Sequence, residues 1–61
     1  MNLEAVRIQL IKKEMRVKDL SRMTGIDYDR LLKVLHGYRR PRPNESIAIA
    51  RVLELPVSHV H

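Results

Sequence analysis

Sixty-one residues make one domain, and a chain this short buries only about 60% of its unfolded surface on folding. There is no Phe, Trp or Cys, which leaves an aliphatic core and excludes disulfides and thiolate metal sites. Twelve Lys and Arg against seven Asp and Glu give a net charge of +5, pointing to a polyanionic partner, nucleic acid before membrane.

The spacing predicts a first helix over 2–14, capped by Asn2, with Leu3, Val6, Leu10 and Ile11 as the buried stripe. Arg7, Gln9, Lys12 and Lys13 face outward, and Ile8 falls off the stripe toward Met15. A second helix follows over 17–23. Its start is poorly capped, because Arg16 is not an N-cap residue, and Asp19 in the first turn compensates in part through the helix dipole. Leu20 and Met23 are its apolar positions. The chain then turns at Thr24-Gly25-Ile26, where only glycine takes a left-handed conformation without steric cost.

Asp27 is the expected N-cap of a third helix over 28–35, whose Leu31, Val34 and Leu35 share one side. That helix stops at Gly37. Next comes Tyr38-Arg39-Arg40-Pro41-Arg42-Pro43, which carries three arginines, no acid and two helix-breaking prolines. A fourth helix is expected over 44–54, capped by Asn44, with Glu45 in its first turn and Ile47, Ala50 and Leu53 buried. Pro56 opens a last short turn over 56–60. The fold class is therefore all-α: a compact bundle of four to five short helices forming one domain over 1–61.

Two short helices joined by a glycine turn, the second of them free to enter a DNA groove, follow the logic of a helix-turn-helix. Leu20-Ser21, Gly25, Ile26, Asp27, Leu31, Gly37, Pro41, Ile49-Ala50 and Leu53 fall in register, without a gap, with the pattern of one family. On these residues the chain resembles the Cro and phage-repressor type of helix-turn-helix domain (the XRE family), lambda-repressor-like in architecture, from Leu3 to Val60. Two departures stand out. Arg16 and Val17 occupy the family's polar cap and phosphate-contacting Gln. Leu10 and Leu35 occupy the positions of its Arg–Glu ion pair, and their joint change to apolar residues predicts a direct Leu10–Leu35 contact.

The resemblance implies sequence-specific binding to a double-stranded DNA operator by a small Cro-like transcriptional regulator, a repressor of a phage or bacterium, with the third helix in the major groove. By register, Tyr28, Asp29, Leu32 and Lys33 face base edges. Lys33 is suited to guanine O6 or N7, Asp29 to cytosine N4, Leu32 to a thymine methyl, and Tyr28 to a thymine methyl or a phosphate. Arg39, Arg40 and Arg42 would run along the phosphate backbone, with Arg16, Lys18, Arg30 and His36 adding contacts. Homologues pair across near-palindromes. A homodimer on DNA is therefore expected, through Leu55, Pro56, Val57 and Val60.

The competing reading is a protein-binding module on the same scaffold, antirepressor- or antitoxin-like, in which Ile8, Tyr28 and Leu32 anchor a protein partner. An enzyme is not indicated. No nucleophile stands with a base, no paired carboxylates mark a cleft, and there is no glycine-rich phosphate loop. No cofactor is expected, and the two ligands of His59-x-His61 are too few for a metal site. The longest apolar run falls well short of the roughly 20 residues a membrane span needs, and no signal peptide is visible, so the expected location is the cytoplasm, at the host nucleoid.

Overall fold

The computed structural model describes residues 1–56. It contains four helices: α1 (Leu3–Lys12), α2 (Val17–Thr24), α3 (Tyr28–Leu35) and α4 (Pro43–Leu53). Beyond Pro56 the expected last turn lies outside the described residues, and with it Val57, Val60, His59 and His61. Among the described residues there is no strand, and no helix is long and apolar enough to cross a membrane.

Each helix buries one aliphatic stripe against the others. Val6, Leu10, Leu20, Ile26, Leu31, Leu35, Ile49, Ala50 and Leu53 form one buried cluster, with Met1, Leu3, Met15, Val17, Val52 and Leu55 packed around it. Leu10 and Leu35, the two positions expected to have turned apolar together, both belong to it. Helix α2 packs on α3 and α4, and α1 on α4. The seam on α1 is narrower than its periodicity suggests: Ile11, expected in the core, is 76% exposed, and Ile8 is half exposed. Met23 likewise faces solvent at the end of α2. In α4 the buried face is Ser46, Ile49, Ala50 and Leu53, while Ile47 is only half-buried. That face keeps the i, i+3, i+4, i+7 spacing one position from the stripe read from Ile47.

The helix ends explain why the chain turns where it does. Asn2 and Asp27 are N-caps, accepting the Ala5 N–H at 3.1 Å and the Arg30 N–H at 3.2 Å. Helix α2 is better capped than its sequence suggests. Asp19 reaches back to accept the Arg16 N–H at 3.0 Å and also holds Arg22 at 2.7 Å. The Arg16 N–H, followed by Arg22, keeps the Asp19 carboxyl below its ordinary value. The N-cap of helix α4 lies two residues earlier than expected: it is Arg42, Pro43 is the first helical residue, and Asn44 lies inside the first turn and caps nothing. Proline suits that first position because its missing N–H would have had no helical partner.

Three helices end in the same left-handed wrap. In α3, Tyr38 N–H donates to the Lys33 carbonyl at 2.8 Å and Gly37 N–H to Val34 at 3.1 Å, with Gly37 at φ +83°. In α1 and α4 the same hydrogen-bond pattern places Glu14 (φ +53°) and Glu54 (φ +57°) where glycine is favoured. Helix α1 therefore ends at Lys12, short of the expected Glu14. Two α1 side chains expected to face solvent instead cap their neighbours. Arg7 Nη2 donates to the Leu35 carbonyl at 2.9 Å, and Gln9 Nε2 to the Leu53 carbonyl at 2.8 Å. The Arg7 charge sits at the negative end of α3, where the helix dipole favours it.

Candidate nucleic-acid interface

Helix α3 divides cleanly by face. Leu31, Val34 and Leu35 are buried, and Leu31 is wholly so. On the opposite side Asp29 and Lys33 are exposed, Tyr28 is 37% exposed, and Leu32 lies half-buried at the edge. Its eight residues make a rod about 12 Å long. The turn before it is fixed from both sides. Gly25, at φ +75°, donates its N–H to Ser21 at 2.9 Å, the Ser21 hydroxyl donates to the Ile26 carbonyl, and Thr24 Oγ1 donates to Leu20 at 2.7 Å. Leu20 and Ile26, one on each side of the turn, share the core cluster and set the angle at which α3 leaves α2.

Where α2 meets the start of α3, the Lys18 ammonium stands 5.9 Å from the centroid of the Tyr28 ring, within cation–π range. Lys18, Ser21, Arg22 and Tyr28 line an open recess there. Arg16 is exposed just ahead of α2. Beyond α3, His36 is exposed and packs edge-on against Tyr38, ring centroids 6.3 Å apart. Arg39, Arg40 and Arg42 follow, all exposed. The ion pairs among the described residues are Lys13–Glu54, Arg22–Asp19 and Arg30–Glu45, so none of the three loop arginines is neutralised by a carboxylate there.

Arg30, expected on phosphate, has a different partner. Its Nε and Nη2 hold the two oxygens of Glu45 at 2.6 and 2.7 Å, a bidentate pair in which Glu45 is only 7% exposed. Glu45 Oε1 also accepts the Arg42 N–H at 2.7 Å. The Arg30 guanidinium, opposed by burial and helped by the Arg42 N–H, pulls the Glu45 carboxyl down to about 2. The Nε and Nη2 donors of Arg30 are thus engaged with a buried carboxylate, a role that the phosphate expectation did not include. Fifteen residues separate the partners, and no local rule joins them. The one available signal was that Glu45 is the sole acid between Arg30 and Leu53. Tyr38, 79% exposed, stands beside the arginines.

Of the expected dimer residues, Leu55 packs against the core, Pro56 is exposed, and Val57 and Val60 lie outside the described residues. Among the described residues no group of three His, Asp or Glu side chains could hold a metal.

The outward face of α3, the fixed turn before it and the arginines after it agree with what comparison with known families finds. The model of the Cro/C1-type HTH DNA-binding domain matches residues 5–58, nearly the whole chain. Comparison with curated proteins and with solved structures gave no match. On the family match, over an all-helical architecture that fits it, this chain belongs to the Cro/C1-type helix-turn-helix DNA-binding domain family.

Proposed function

We propose that the protein is a small Cro-like transcriptional regulator that represses by occupying a double-stranded DNA operator in a phage-bearing or bacterial cell, acting in the cytoplasm at the nucleoid. The observation that carries this reading is the outward face of α3, flanked by exposed cations at both ends: Arg16 and Lys18 before it, Arg39, Arg40 and Arg42 after it. Helix α3 enters the major groove. Lys33 donates to guanine O6 or N7. Asp29 accepts from cytosine N4 and, through its charge, rejects registers that bring it against phosphate. Tyr28 and Leu32 offer apolar surface to thymine methyls. The flanking cations, with a hydrogen bond from His36, hold the backbone and set the position from which the bases are read.

One eight-residue helix reads only a few base pairs, so the functional unit is a homodimer on two half-sites about one helical turn apart. The C-terminal end, with Leu55, Pro56, Val57 and Val60, forms the contact between subunits.

A gel-shift titration in salt against a pool of random duplexes, followed by selection of the bound fraction, tests this. The expected result is binding at low salt that falls linearly in log–log coordinates as salt rises, and a selected pool enriched in a two-fold symmetric site. Absence of binding at low salt refutes the reading and transfers the outward face of α3 to a protein partner of the antirepressor or antitoxin kind.

A further inference from the structure

The Arg30–Glu45 pair does more than join two helices. Its carboxylate also accepts the Arg42 N–H, and Arg30 Nη2 stands 3.4 Å from the Arg40 carbonyl. The other end of the same loop is fastened too, since Tyr38 and Arg39 both donate their N–H groups to the Lys33 carbonyl, at 2.8 and 3.3 Å. Between these anchors Pro41 fixes one more φ angle, and Pro43, the first residue of α4, fixes the next just past them. The backbone of residues 38–42 is thereby tied at both ends to α3, while the side chains of Arg39, Arg40 and Arg42 stay exposed and outside every ion pair among the described residues.

We infer that Arg30 and Glu45 form a latch that pre-orders the arginine loop against the reading helix, so that the loop's cations and the base-facing residues meet DNA as one rigid unit. Arg30 and Glu45 are positioning residues: Glu45 is buried and neither side chain reaches the outward face as a free charge. The latch matters because a loop ordered before binding does not lose its conformational freedom on the DNA, whereas a loose one must. This inference rests on the proposed DNA-binding function.

The test compares the intact chain with Arg30→Met/Glu45→Leu, which removes both charges together and refills their volume with apolar atoms. Amide hydrogen exchange in the free protein should quicken by about tenfold or more at the loop's hydrogen-bonded amides, Tyr38 and Arg39 as well as Arg42, while Leu20 and Leu31 keep their protection. Affinity for random and for selected duplexes should fall together by about tenfold. The log–log salt slope and the preferred half-site should stay the same, because the loop arginines still reach phosphates. A merely structural role would instead lower protection throughout the core.

Unchanged loop exchange, or equal affinity despite faster exchange, overturns the latch. Should the double variant fail to fold, Glu45→Asp replaces it. It keeps the charge but is one methylene too short to hold Arg30 and the Arg42 N–H together, and faster loop exchange with weaker binding is again expected. If the intact chain binds no DNA, the functional reading fails, while the exchange measurement still reports on the latch by itself.

Discussion

Glu45→Gln keeps the shape of a buried side chain and removes its charge. In the native structure that charge meets Arg30 Nε at 2.6 Å and Nη2 at 2.7 Å, and the Arg42 N–H at 2.7 Å. The carboxyl is held at about 2 against an ordinary 4.5. The folded-state value therefore lies below the unfolded one, and the folded protein gives up a proton more readily than the unfolded chain. The resulting stabilisation is complete above about pH 5 and is lost as pH falls toward 2. Each tenfold change in proton affinity corresponds to about 1.4 kcal/mol, and the open side of the pair at Arg30, 27% exposed, trims the product, leaving roughly 2–3 kcal/mol. A domain of this length has roughly 3–9 kcal/mol in total, so the loss is a large share of it.

The assay is urea denaturation followed by far-ultraviolet circular dichroism, on the wild type and the Gln variant, from pH 7 to 2.5. At pH 7 the variant should be less stable by about 2–3 kcal/mol, equivalent to a melting temperature lower by roughly 10–20 °C. Toward pH 2.5 the two curves should converge, because protonated glutamate resembles glutamine. Asp19, also held below its ordinary value, makes both proteins acid-sensitive and cancels in the difference. A gap that stays constant across the whole range would refute the argument, since it would show that Glu45 stabilises through shape and not through its charge.

Left-handed positions give two substitutions of opposite sign. Glu14→Gly relieves a φ of +53° and should stabilise by about 1 kcal/mol, whereas Gly25→Ala, with φ +75° and no atom within 4 Å of the added methyl, should destabilise by about 1–2 kcal/mol through backbone strain alone. Thermal melts that move both variants in the same direction would contradict this. Arg39→Ala with Arg40→Ala should weaken binding to all duplexes alike and lower the salt slope by about 1 for each lost contact, and an unchanged slope would exclude these arginines from the backbone clamp. Lys33→Ala should cost about 1–3 kcal/mol at a single base pair and relax preference there, read by repeating the selection from random duplexes. Equal loss on every sequence would make Lys33 a phosphate contact.

Local chemistry made much of this molecule legible. Gly25 and Gly37 marked the turns because a positive φ is cheap only for glycine, and Asn2 and Asp27 marked helix starts because a short polar side chain can accept an orphan N–H. The stripe Leu31, Val34, Leu35 named the buried side of α3 and, by subtraction, the side left for a partner. The fourth helix shows the limit of this method. Periodicity found Ala50 and Leu53 but placed Ile47 beside them in the core, whereas the family register pointed to Ile49, which is the buried isoleucine. The Ile11 error has a similar source: hydrophobicity says that a side chain prefers burial, but the width of the neighbouring helix decides how many positions it can cover.

By itself, then, the sequence determined the helices, most of their ends, the aliphatic core and the cationic character of the loop after α3, since each depends on residues within a turn or so of one another. Only the tertiary structure decided that Arg7 and Gln9 cap helices 28 and 44 residues away, that Asp19 closes the start of α2, and that Arg30 pairs with Glu45. A long polar side chain has several partners of similar strength in water. Which one it keeps is set by the carbonyls and carboxylates that packing brings within 3 Å, and that proximity is written in no local stretch of the chain.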